Sequence, residues 1–257
     1  METFSAYDFT NVPPLTEEQS KSPFAKFYYE PVNKPAPEVF EAIGETQMDP
    51  ALALPFSEME KVFLPDASPC KNGWCMLPDG TGFSSIITKM PDVTLEMEQW
   101  WGNWFAAPDY DYVNYRMWLP GLHRSHAMPI TENLGWGFVN ISMAQPVMPS
   151  MLNLSAEPKE LDPNFIDFKG SSGYSRPDGH PEAEPYYIAI FNCIKHMEKG
   201  LQVQTVAYSG MGWRDGTLVK FHDADPDKVR MFAMHNAYEF GRKAVLLPKL
   251  FEYAKTL

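Results

Sequence analysis

Cysteine is scarce in this chain of 257 residues: Cys70, Cys75 and Cys193 make an odd set, without the CxxC spacing of a zinc ribbon or a dithiol redox motif. Reduced structural thiols are the expectation. Runs of lysine and arginine are missing too, and the formal net charge of -12 with a pI near 4.9 removes the clustered cations that phosphate backbones and anionic membranes require. No stretch approaches the roughly 20 apolar residues of a bilayer span, and Met1 does not open a charged-then-apolar leader. A soluble, cytoplasmic protein with no nucleic-acid or membrane partner is expected. A Gly-x-Ser-x-Gly elbow, a Walker-type loop and a Rossmann fingerprint are also lacking, so serine esterase, nucleotidase and nicotinamide chemistry have no support.

Aromatic residues are plentiful at 14%, with seven Trp and seventeen Phe, which suits a globular protein whose rigid rings line a cavity. Proline is plentiful as well, 24 residues in all, concentrated early in stretches such as Val12-Pro13-Pro14 and Pro35-Ala36-Pro37. Proline fixes its own backbone and donates no hydrogen bond, so residues 1–68 read as an N-terminal arm of short helices (38–44 and 56–62) and extended pieces. The arm should pack on a body spanning 69–257. No internal repeat or low-complexity tract occurs.

Within the body, Gly73-Trp74-Cys75-Met76-Leu77, the turn Pro78-Asp79-Gly80-Thr81-Gly82 and residues 83–88 predict a hairpin. Thr94 caps a helix of about a dozen residues carrying Trp100, Trp101 and Trp104. The alternation over 110–118 predicts a strand. Further strands are expected at 136–143, 186–193, 202–208 and 218–221, and the polar segment 153–184 reads as a long loop, for example a lid. Asp225-Pro226 opens a helix reaching Thr256. One of its stripes is apolar and the other holds Phe232, His235, Glu239, Arg242 and Leu246. The fold class is α+β, a strand meander closed by one long C-terminal helix.

His235 and Glu239 are four residues apart, so their side chains sit one above the other on the helix and can share a metal ion or hydrogen-bond each other. His123 follows the element that ends at Trp118 and stands where a side chain can project over a cavity mouth. His196 and His222 read as structural or solvated, and His180 as an exposed loop residue.

Four segments in order resemble the 2,4-diacetylphloroglucinol hydrolase family, which includes phloretin hydrolase-like members. They are Asn72-Gly73-Trp74-Cys75 through Gly82, Met90-Pro91-Asp92-Val93-Thr94 with Trp100-Trp101, Tyr115-Arg116-Met117-Trp118-Leu119-Pro120-Gly121-Leu122-His123, and His235 through Glu239 followed by Leu247-Pro248. The resemblance implies a helix-grip (Bet v 1/START-like) fold, a curved antiparallel sheet around the C-terminal helix, with the arm helping to form a homodimer. It also implies a zinc hydrolase of microbial specialised metabolism that cleaves the carbon-carbon bond between an acyl group and a phenolic ring. His123, His235 and Glu239 match three zinc ligands, and Tyr115 matches a tyrosine that binds the phenolic substrate. The family's fourth ligand is a glutamate, but Gly137-Phe138-Val139-Asn140-Ile141-Ser142 carries no carboxylate. His126 or Glu132 are its candidate substitutes.

The expected site therefore has Tyr115, His123, His126, His235 and Glu239 as catalytic residues. Trp101, Trp104, Trp118, Asn140 and Tyr208 are the expected substrate contacts. Gln202, Gln204 and Val206 replace charged residues of the family, which suggests a pocket depleted of charge. Such a pocket also suits a cyclase, a dehydratase or a Diels-Alder-type pericyclase on a polyketide or terpenoid phenol, with or without metal. A non-catalytic binder of small aromatic ligands is the third reading, since fold alone does not specify function.

Overall fold

The hairpin forms where the turn chemistry placed it. In the computed structural model, which describes residues 9, 12–44, 46–63, 71–107, 109–123, 137–142, 162–175, 182–214 and 217–257, strands β1 (Gly73–Met76) and β2 (Gly82–Met90) pair antiparallel. Asp79 closes the turn by accepting a hydrogen bond from the Thr81 amide, the local bond that favours aspartate in turns. Helix α3 (Leu95–Ala106) starts at Thr94, whose hydroxyl accepts from the Met97 amide.

Strands β3 (Gly137–Ser142), β4 (Phe165–Ser175), β5 (Tyr186–His196) and β6 (Leu201–Ser209) complete a six-stranded antiparallel sheet in the order β1-β2-β6-β5-β4-β3. A separate hairpin joins β7 (Met211–Arg214) to β8 (Thr217–Lys220). The chain is thus α+β, an antiparallel sheet with a long C-terminal helix. No helix among the described residues is long and apolar enough to cross a membrane.

Two expectations are corrected. The loop expected over 153–184 contains β4, which is paired along its length with β5 on one side and β3 on the other. Its Lys169-Gly170-Ser171-Ser172-Gly173 centre has little intrinsic strand preference, so pairing supplies the order. The lid reading does not hold for 165–175; residues 143–161 and 176–181 lie outside the described residues.

The strand expected over 110–118 is helix α4 (Asp109–Trp118). It begins with a left-handed turn at Tyr110, Asp111 and Tyr112, with φ of 51° to 53°, and packs against α3 and the arm instead of a neighbouring strand. Val113 and Met117, one helical turn apart, are fully buried, but so are Asn114 and Arg116. Because both apparent faces find partners, the alternation did not separate a wet face from a dry one. Asn114 donates to the Trp104 carbonyl, and Arg116 reaches Gln19, the Tyr28 hydroxyl and the carbonyls of Pro13 and Pro14.

The C-terminal helix, α5 (Pro226–Ala254), is capped by Asp225, which accepts from the Asp227 amide, and it runs through Pro248. It lies against β1, β2 and β6. Gly82 makes this approach possible: a Cβ there would stand 2.1 Å from a Val229 methyl, well inside contact distance. Trp74, Ile86, Val229, Ala233 and Ala237 form the core on this side. The opposite sheet face buries Phe83, Phe168, Phe191, Val206 and Tyr208 under Leu54, Met59 and Val62 of the arm, each large side chain contributing roughly 2 kcal/mol of burial.

The arm contributes α1 (Glu17–Ser20), α2 (Pro37–Ala42) and short stretches of tighter helix at Ala25–Tyr29, Pro50–Leu52 and Phe56–Phe63, the last kinked at Glu58. Arg242 of α5 fixes part of it. Its buried guanidinium donates to the main-chain carbonyls of Phe27, Tyr28, Glu30, Pro31 and Met117.

Candidate active site

Pro120-Gly121 turns the chain back after α4, and the Gly121 φ of 86° permits that reversal. The His123 amide then bonds the Leu119 carbonyl, which brings the imidazole under its own helix. Its ring lies parallel to that of Tyr115, 4.0 Å centroid to centroid, and Trp118 packs edge-on against it at 5.5 Å. The Trp118 indole also donates to the Glu239 carbonyl at 2.8 Å, tying α4 to α5 at the site.

Across this junction α5 presents His235 and Glu239. His123 Nε2 is 2.7 Å from Glu239 Oε1, His235 Nε2 is 3.1 Å from the same oxygen, and the two Nε2 atoms are 3.2 Å apart. His123 is 2% exposed and Glu239 8%, while His235 is half-buried. One donor atom from each of the three residues falls within 4.8 Å of the others. A tetrahedral zinc with bonds near 2.0 Å separates its ligands by roughly 3.3 Å; the two separations to His235 are close to that spacing, and the His123–Glu239 separation is shorter.

Proton positions bear on the same ion. His123 Nδ1 is 2.9 Å from the Tyr115 carbonyl, which only accepts, so the ring hydrogen sits on Nδ1 and a neutral ring turns the Nε2 lone pair toward Glu239. Burial lowers the His123 pKa more than Glu239 raises it, which keeps the ring neutral. Burial would raise the Glu239 carboxyl, but the proximity of both histidines holds it at about 2. A neutral Nε2 and an ionised carboxylate oxygen at 2.7 Å turn lone pairs toward each other, and a cation shared among the three groups relieves that opposition.

Tyr115 is half-buried, and desolvation of its hydroxyl and the Glu239 charge both raise its pKa well above the ordinary phenol. Its hydroxyl therefore remains a proton donor. Trp101 stacks on Phe105 and meets Trp118 edge-on, so Trp101 and Trp118 belong to the aromatic wall beside His123. Trp104 packs against Trp101 at 5.2 Å, and also against Trp100 and Phe24 of the arm. Tyr208, expected to touch substrate, is on the sheet face opposite α5, where its hydroxyl donates to the Leu54 carbonyl between Phe56 and Phe83. Asn140 occupies the register position opposite Ser171 in β3. His126, Glu132 and His180 lie outside the described residues. His196 is exposed, and His222 accepts from the Tyr187 amide.

The charge-depleted pocket is a further correction. Lys243 follows Glu239 by one turn on α5 and is 3% exposed, as is Glu98 of α3. The Lys243 ammonium is 2.8 Å and 2.7 Å from the two Glu98 oxygens, and Lys169 of β4 stands 3.4 Å from one of them. Burial alone would raise the Glu98 carboxyl, but Lys243 and Lys169 hold it below its usual range. Burial lowers the Lys243 pKa, while the charges of Glu98 and Glu239 raise it, so this pair lies within electrical reach of the His-His-Glu group. Two clefts of about 510 Å³ and 400 Å³ lie elsewhere, at Pro91–Leu95 with residues 196–201, and beside Phe56, Leu77 and Lys220. Neither holds the clustered donors found between α4 and α5.

The first segment of this site carries the family signature. The DAPG hydrolase PhiG domain matches residues 54–142, which span the β1–β2 hairpin, α3, α4 and His123. Over these residues the chain is similar to the DAPG hydrolase family. Phloretin hydrolase of Eubacterium ramulus is 28% identical over 110 residues, 42% of this chain and 39% of that protein. The chain thus spans about two fifths of the curated relative it matches. His235 and Glu239 lie beyond the family match, and their assignment rests on the geometry with His123.

Proposed function

We propose that this chain belongs to the DAPG hydrolase family and is a zinc-dependent hydrolase that cleaves the bond between an acyl carbon and a phenolic ring. The observation that carries the reading is the convergence of His123, His235 and Glu239 within 4.8 Å, beside the Tyr115 hydroxyl and an aromatic wall. The long α5 held against the antiparallel sheet supports a helix-grip description. The names of the matched family and of phloretin hydrolase support a phenolic ketone as the substrate class.

His123, His235 and Glu239 would hold the ion. Bound there, zinc supplies Lewis acidity toward a carbonyl oxygen and makes water acidic enough to react near neutral pH. The Tyr115 hydroxyl, kept protonated by burial, donates to a ring oxygen and orients the phenol. Trp118 and Trp101 cover the ring and exclude bulk water. Overall, the aryl-acyl carbon-carbon bond breaks, the water oxygen joins the acyl carbon to give a carboxylic acid, and the ring carbon takes up a proton.

The cyclase and pericyclase reading relied on a pocket emptied of charge. The Glu98-Lys243-Lys169 cluster removes that premise. The test is elemental analysis of the purified chain, then incubation with phloretin and chromatography of the products. About one zinc per chain and release of a free carboxylic acid with the unacylated phenol are expected. A metal-free chain that is active, or a product isomeric with its substrate, would overturn the reading.

A further inference from the structure

Asn236 is a buried polar group that the hydrogen bonding of the site leaves over. It is 1% exposed, and its Nδ2 finds no acceptor among the described residues. An amide nitrogen buried without an acceptor destabilises a fold, and native interiors seldom keep one that serves no purpose.

Its place on α5 indicates that purpose. Asn236 follows His235 and lies within one turn of both Glu239 and Phe240, so it projects between them and in line with Lys243, seven residues on. Phe240 is the ring against which Trp118 packs edge-on, at 5.6 Å, and Trp118 in turn bonds the Glu239 carbonyl. The amide is therefore on the inward side of α5 that carries the metal-ligand candidates, turned toward the sheet.

Its helical neighbours supply no acceptor. Lys243 only donates and is held by Glu98, and Glu239 Oε1 faces both histidines. Across the sheet, the Asn192 side-chain oxygen already accepts from Thr205 at 2.7 Å. With no acceptor among the described residues, a ligand is the source inferred for it.

We propose that Asn236 is a substrate-binding residue whose Nδ2 donates to the acyl carbonyl oxygen of the phenolic ketone. A ketone oxygen accepts such a bond, so this donor selects an acylated ring over the bare ring, which has no oxygen at that place. The assignment rests on the hydrolase reading above, to which it adds a specificity determinant.

The test uses the zinc-loaded full chain and isothermal titration with acetylphloroglucinol and with phloroglucinol, which has the same ring without the carbonyl. Asn236→Leu keeps the branched shape and the number of side-chain heavy atoms and removes the donor. Removing an unsatisfied buried amide should leave thermal stability unchanged or higher, while acetylphloroglucinol binding weakens about tenfold, the size of one lost hydrogen bond. Phloroglucinol binding should not change. Unaltered affinity for both ligands, or an equal loss for both, would overturn the role of Asn236. Binding of neither ligand by the wild-type chain would overturn the hydrolase reading itself. If Asn236→Leu does not fold, the wild-type chain is titrated with acetylphloroglucinol and with ethylphloroglucinol, in which a methylene replaces the carbonyl; equal affinities would reject the proposal.

Discussion

The rings of Tyr115 and His123 lie face to face, 4.0 Å apart and 3° from parallel, while the Tyr115 carbonyl accepts from the ring nitrogen of the same histidine. One residue thus orients the first metal-ligand candidate twice, through its ring and its main chain, and offers a hydroxyl besides. Tyr115→Phe keeps the stack and the carbonyl, so zinc affinity should be unchanged while kcat/KM for a phenolic ketone falls by roughly 10 to 100-fold. Tyr115→Ala should additionally weaken zinc binding, by about tenfold, as loss of an orienting contact does. Competition with a chelator of known affinity, alongside steady-state kinetics, separates the two effects.

Removal of metal should reduce stability. At a free zinc concentration 100 times the dissociation constant, binding adds about 2.7 kcal/mol, which for a chain of this size corresponds to a rise of roughly 5 to 10 °C in melting temperature. Scanning calorimetry with zinc and with a chelator checks this. In His235→Ala the two melting temperatures should coincide.

The Glu98-Lys243 pair joins α3 to α5 in a dry interior. Lys243→Met leaves a buried carboxylate facing only Lys169 and should cost about 3 to 5 kcal/mol in urea unfolding at pH 7, whereas adding Glu98→Leu should recover most of that loss. Lys243 and Lys169 lower the Glu98 pKa from its unfolded value of 4.5. Its stabilisation is therefore complete above pH 4.5 and is lost as pH falls through the lower folded value. Urea midpoints of the wild-type chain and the double variant, compared down the acid range, should converge below pH 4.5.

Arg242 carries five contacts to main-chain carbonyls. Arg242→Lys cannot reproduce that fork of donors, and it should destabilise the chain by roughly 2 to 4 kcal/mol through unpaired carbonyls. Limited proteolysis should cut near residues 27–31 sooner in the variant than in the wild-type chain.

Much of this architecture was legible where local chemistry decides. The Asp225-Pro226 start of α5, the Thr94 cap and the turn through Asp79 follow from side chains that satisfy nearby amides. β4 and α4 were not legible, because neighbours define them. Lys169 to Gly173 become a strand by lying between β3 and β5, and α4 is buried on opposite sides by the arm and α3. The inner line of α5 was misplaced in part. From Glu239, a step of three reaches Arg242, which turns to the arm, and a step of four reaches Lys243, which turns inward. That 100° difference in direction concealed the buried ion pair. Asn236 gave no signal either, since an unpartnered amide is recognisable only once its surroundings are known.

The grip of Arg242 on carbonyl groups has a consequence for inheritance. Peptide oxygens are presented by every residue type, so the segment 27–31 can drift in sequence while its docking on α5 persists. Two such proteins could share this joint and have no identical side chain in the arm that it holds.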